Sequence, residues 1–156
     1  MAPSHPCGCF PLGSKGESSL GRTGAVAVGG PSPAVLTTYR KDGSAHTVPL
    51  WFRWNDPAVE VVIAEGDVKL GHLARNPRCV LVVFETARPF RGLEVRGVAE
   101  LVEGDVASAR AAIAGRYLRA GNGERFAAER RSRPGVLLRR VADSPRVWDL
   151  SGILPS

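Results

Sequence analysis

The chain has 156 residues, 44% of them hydrophobic, with a formal net charge of +6 and a pI near 9.9. That length fits one domain with a core of useful size, and no run approaches the roughly 18 apolar residues of a membrane-spanning helix, so a soluble protein without a membrane partner is expected. Cys7, Cys9 and Cys79 form no disulfide framework, which points to a reducing, cytoplasmic setting, and Cys7-Gly-Cys9 beside His5 falls short of the four ligands of a structural metal site.

Residues 1–33 are rich in Gly, Pro and Ser and read as a flexible tail, within which Gly24 to Gly30 is a weak first strand or linker. The folded domain is expected to begin near Pro33. Ala34 to Arg40 is β-branched and aromatic and ends on the turn Lys41-Asp42-Gly43-Ser44. His46 to Trp54 then alternates two faces as one strand, and Pro49 inside it, with no amide hydrogen to donate, places that strand at a sheet edge or at a bend. After Asn55-Asp56-Pro57 comes a nearly continuous apolar strand, Ala58 to Ala64.

The next stretch, Glu65 to Pro77, is the one most suggestive of a site. Gly66 is a turn and Asp67 a helix cap, so a strand feeds a short helix carrying Lys69, His72 and Arg75 on one face. The first amides of such a helix are unpaired and its dipole is positive there, which suits a phosphate. Spacing alone fits a solvated basic face equally well.

Arg78 to Phe84 is a buried strand that opens on Cys79, read as a small hydrophobe. A loop with Arg88 and Pro89 leads to Gly92 to Val102, an alternating strand. Residues 104–118 switch to helical period behind Asp105, and Glu124 to Arg131 is a second, arginine-dense helix. Gly135 to Val141 and Arg146 to Leu150 return to strand, and residues 151–156 are a C-terminal tail. Short strands with one late helical insertion describe a small antiparallel barrel.

The blocks V-L-T-T-Y-R-K-D-G-S-A-H-T-V-P-L-W-F (35–52), V-V-I-A-E-G-D-V-K-L-G-H-L-A-R-N-P-R-C-V-L-V-V-F (61–84), L-E-V-R-G-V-A-E-L-V (93–102) and G-V-L-L-R-R-V-A-D-S-P-R-V-W-D-L (135–150) resemble the pyridoxamine-5′-phosphate-oxidase-like flavin and deazaflavin oxidoreductases. The chain is most similar to their actinobacterial, coenzyme F420-dependent branch. The resemblance spans about residues 34–150 and implies a mainly β, α+β fold. The implied architecture is a six-stranded antiparallel split β-barrel with short flanking helices, forming a homodimer with cofactor sites between subunits. It also implies that Val48, Pro49 and Leu50 line the cofactor ring, that Ile63, Ala64 and Glu65 border its tail, and that Lys69 holds the phosphate. His72 and Arg88 are auxiliary candidates, Trp148 reaches the site, and Arg75-Asn76-Pro77 is a structural helix ending. Asp67 departs from the family pattern, which has a basic residue there in many relatives.

The expected activity is a reductase in which reduced F420 passes hydride to an unsaturated small molecule, the cofactor carrying the chemistry. No catalytic side chain is assigned, and no protein nucleophile is needed. One alternative is an FMN-dependent oxidoreductase on the same fold. The other is a non-catalytic binding module, either a barrel that carries a cofactor without turnover or a basic protein that grips nucleic acid through Arg110, Arg116, Arg119, Arg125, Arg130 and Arg131. For those arginines a solvated helix face is the preferred reading, because the few aromatic residues are not interleaved with them as a stacking platform requires. Trp51 suits either a substrate-pocket wall or ordinary packing, and His46 a surface strand position.

Overall fold

Alternating apolar runs become strands of two antiparallel sheets in the computed structural model, which describes residues 20–104 and 106–155. Residues 1–19, with His5, Cys7 and Cys9, and the predicted cap Asp105 lie outside the described residues. In chain order the strands are β1 (Ala34–Tyr39), β2 (Ala45–Leu50), β3 (Arg53–Asn55), β4 (Ala58–Ala64), β5 (Arg78–Phe84), β6 (Gly92–Val98), β7 (Glu100–Val102), β8 (Gly135–Val141) and β9 (Arg146–Trp148). The helices are α1 (Gly21–Gly29), α2 (Val68–Arg75), α3 (Ala107–Tyr117) and α4 (Asn122–Glu129). One sheet runs β2-β1-β5-β6-β9 and the other β3-β4-β8-β7.

Two runs expected as single strands are each divided between the sheets. His46 to Trp54 leaves the first sheet after Leu50 and enters the second at Arg53; Gly92 to Val102 changes sheet at Ala99, whose amide bonds Pro77 O at 2.8 Å. β8 and β9 are likewise consecutive but lie in different sheets. Counting these bent runs as units gives six strands, the split-barrel arrangement. Apolar burial accompanies the break after Leu50: Phe52, at the corner between the two sheets, is completely buried in the core.

Pro49 sits where its chemistry requires, on β2 at the sheet edge, paired on one side only, with Val35 of β1 opposite. Leu36, Leu81, Leu93 and Val95 from one sheet meet Val59, Val61, Ile63 and Leu138 from the other in a single core. Cys79 is buried in it, and burial pushes its thiol up to about 11, so it is an inert hydrophobe as read.

The reading of Gly24 to Gly30 as strand or linker is corrected: these residues lie mostly in α1, which packs on β5, β6 and β9 and sends Leu20, Ala27 and Val28 into the core. Gly24 permits the approach, since a Cβ there would come within 2.8 Å of Leu20 Cβ and 3.5 Å of Val147. Tertiary contact, not helix propensity, makes this glycine-rich segment helical.

The solvated-face reading of the helix arginines is also corrected in part. Arg110 is buried and donates to the carbonyls of Arg130 at 2.8 Å and Arg133 at 2.9 Å, tying α3 to the turn after α4. Arg116 donates to Val28 O and Gly30 O at the end of α1, a favourable place for a cation at a helix C-terminus, and lies 4.6 Å over the Phe52 ring. Arg130 is half-buried, whereas Arg119, Arg125 and Arg131 are exposed.

Candidate functional site

The β4-to-α2 turn has the local geometry its sequence predicts. Gly66 takes φ 80°, which favours glycine, and Asp67 is the N-cap, its carboxylate accepting from the Lys69 amide at 2.9 Å. The same carboxylate accepts from Lys69 Nζ at 2.6 Å, and that side chain is only 16% exposed. The lysine expected to meet a phosphate is therefore already paired with a neighbouring acid. Burial alone would raise the Asp67 carboxyl, but hydrogen bonds from the Lys69 ammonium and amide outweigh it and hold the group below its ordinary range.

His72, one turn further on, is 9% exposed; its Nδ1 lies 2.9 Å from Thr38 Oγ1 of β1 and its ring sits edge-on to His46 at 5.2 Å. Burial, then the charges of His46, Arg75 and Arg40, hold the imidazole below its usual 6.5. The unfolded chain therefore takes up this proton first as pH falls, and native stability is lost as pH drops through the unfolded value. The denaturation midpoint is expected to fall between about pH 7.5 and about pH 5.5, and to fall less in His72→Gln. Equal falls in both proteins would assign the dependence to other groups.

The remaining candidates divide between two places on the chain. Leu50 at the end of β2 and Ala64 at the end of β4 share the strand-side wall of a cavity of about 300 Å³ with Trp51 and Val62; α3, α4 and the turn after them form the opposite wall. Val48 lies on the Leu50 side of β2 and Pro49 on the other, Ile63 is in the core, and Glu65 is exposed with its amide on Pro134 O at 3.2 Å. Trp148, packed across Gly92, lines a separate apolar hollow with Phe84, Phe90 and Leu150, and Arg88 donates to Pro155 O at 3.0 Å. Within one chain, Arg88 and Trp148 are thus apart from the Leu50 and Ala64 cavity.

Sequence reasoning does not single out Phe126 or Arg133 of that cavity, and it reads Arg110 and Arg130 as part of a solvated face. Trp51 lines the cavity and is also packed, stacked on Tyr117 at 4.9 Å with an interplanar angle of 8°. The signal available in the sequence was the density of arginine around the second helix, which periodicity could not aim inward.

Two antiparallel sheets sharing bent strands, one of them with a proline on its edge strand, make a split β-barrel. The sequence matches the pyridoxamine 5'-phosphate oxidase family over residues 26–148, and the chain belongs to that family. No curated protein matches it. Among solved structures it is similar to a conserved hypothetical protein of Mycobacterium tuberculosis, with 23% identity, 80% of this chain and 82% of that one covered, and a TM-score of 0.63. An F420 reductase is also similar, at 20% identity, 79% and 95% coverage and a TM-score of 0.63. So is a heme storage protein of Vibrio cholerae, at 19% identity, 80% and 89% coverage and a TM-score of 0.56. At these identities the structural likeness speaks to the fold.

Proposed function

We propose that the protein is an oxidoreductase that binds reduced coenzyme F420 and reduces an unsaturated small molecule in the Leu50 and Ala64 cavity. The observation that carries this reading is the placement of Leu50 and Ala64 on one cavity wall, with the α2 turn following directly from Ala64. Family membership supports cofactor-dependent redox chemistry, and the likeness to a structure named as an F420 reductase supports the deazaflavin.

The residues fit such a group unevenly. The edge strand offers apolar Val48 and Leu50 with one side of its backbone unpaired in the sheet, a fit for a planar ring. The anion end fits less fully, because Asp67 already occupies the Lys69 amide and ammonium. A phosphate there meets a turn whose lysine charge is balanced, which disfavours the dianionic monoester of FMN more than a singly charged phosphodiester. When bound, the reduced deazaflavin supplies the hydride. The chain's own work is to hold the ring against β2, keep water from its face and seat the acceptor.

A homodimer is part of the proposal. Val35, Val80, Val82 and Phe84 form a half-buried apolar stripe on the outer face of the five-stranded sheet, as a subunit interface would use. A second subunit is also the means by which Arg88 and Trp148 would approach a cavity they do not reach within one chain.

Fluorescence titration of the purified protein with F420 and with FMN tests the cofactor assignment. Binding of F420 in preference to FMN is expected. A yellow protein carrying FMN would replace the deazaflavin with a flavin, and binding of neither would end the oxidoreductase reading. Light scattering during size exclusion is expected to give twice the chain mass.

A further inference from the structure

We infer that the cavity between the four-stranded sheet and the α3/α4 hairpin binds a small planar organic acid, seated by ring stacking and by a carboxylate on the arginine cluster. Calling that acid the substrate rests on the function proposed above; the binding itself does not.

Charge is the first observation. Three arginines, Arg110, Arg130 and Arg133, are among the residues that line the cavity, and among the described residues no acidic residue lines it. Arg110 is only 9% exposed, and its hydrogen bonds go to two main-chain carbonyls; among the described residues no acid pairs with it. Carbonyl dipoles solvate a buried cation without neutralising it, so a counter-charge in the cavity offsets a real desolvation cost. Arg133 has no side-chain hydrogen bond or ion pair among the described residues, and Arg130 reaches Glu129, itself 55% exposed, only at 3.7 Å.

The positions of these cations are set by the fold. The two bonds from Arg110 hold the carbonyls of residues 130 and 133, which fixes the turn bearing the other two guanidiniums. Arg130 lies 3.7 Å over the Phe126 ring, which restrains it further. A planar fork on a restrained stem suits a carboxylate.

The second observation is aromatic. Trp51 is 37% exposed although stacked on Tyr117, and its ring is 5.7 Å from Phe126, also on the cavity lining. Its orientation is thus preset while area remains uncovered, which favours a flat apolar body. The volume of about 300 Å³ is at the small end for ligand sites and admits one or two fused rings, not a polymer. Walls that are otherwise Leu50, Val62, Ala64, Ile113 and Ala114 favour a singly charged organic acid over a strongly hydrated inorganic anion.

The test is calorimetric titration of the full chain, without cofactor, with 2-naphthoate and with its neutral isostere 2-naphthamide. The acid is expected to bind at least about tenfold more tightly than the amide, a preference that Arg133→Gln removes. Arg133 is exposed, so that variant should fold; Arg130→Gln supplies an independent check. Equal binding of acid and amide, or no binding of the acid at millimolar concentration, would overturn the proposal. Lys69→Ala separates the two readings, because it is expected to weaken F420 and leave 2-naphthoate unchanged. Loss of F420 binding by the parent with naphthoate retained defeats only the proposed function; the converse defeats only this one.

Discussion

Replacing Lys69 with alanine is expected to weaken F420 binding by about 100-fold, and replacing Asp67 with asparagine to strengthen it several-fold. A charge-assisted hydrogen bond to phosphate contributes about 1.5 to 3 kcal/mol, and in Lys69→Ala the anion loses that bond while the Asp67 carboxylate is left unpaired beside it. Asparagine keeps the helix cap, because its side-chain oxygen can still accept from the Lys69 amide, but it releases the ammonium. The double variant Asp67→Asn/Lys69→Ala should therefore recover part of what the lysine change costs. Fluorescence titration of the four proteins measures the coupling directly. Additive effects, or an unchanged affinity in Lys69→Ala, would move the phosphate elsewhere. The Asp67 change should alter thermal stability little, since the cap persists and the ion pair is partly solvated.

The largest stability effect is expected at Phe52. Its ring is completely buried, sits under the Arg116 guanidinium, and its amide donates to Tyr117 Oη at 3.3 Å, while Tyr117 Oη in turn donates to Ser32 O at 3.1 Å. The corner where the chain changes sheet is thus joined through one ring to α3 and to the segment after α1. Truncation to alanine opens a cavity in a close-packed core and should cost about 3 to 5 kcal/mol. Urea denaturation would show it as a large drop in midpoint. Because Leu50 and Trp51 immediately precede Phe52, ligand binding in the cavity should weaken as well. Phe52→Leu, which keeps most of the volume, is expected to recover most of the stability. If Phe52→Ala unfolded at the parent's midpoint, the corner would not be the anchor described.

Much of the strand-to-helix turn was legible in the sequence because its determinants are local. Gly66 supplies the positive φ and Asp67 the cap, and neither depends on distant residues. Pro49 was equally readable, since a missing donor restricts a strand to an edge in any fold. What Asp67 does besides capping was not readable: spacing of two residues allows Lys69 to pair with it or to point away, and the folded structure has them paired. The blocks that resemble the family likewise carried the barrel, because the order of elements and their alternation are one-dimensional properties.

By itself, then, the sequence determined the strand runs, the edge position of β2, the capped turn before α2 and the family. Tertiary structure decided where two of those runs break, because Pro49 allows an edge or a bend without choosing between them, and the positions at Phe52 and Ala99 follow from closing a barrel around a core. It decided that a glycine-rich segment is helical, since contact with β5, β6 and β9 supplies what propensity lacks. It also decided which arginines turn inward. A guanidinium is held by carbonyls, and those that hold Arg110 and Arg116 lie far away in the chain, so no periodicity could have shown that the helical insertion builds a cationic wall.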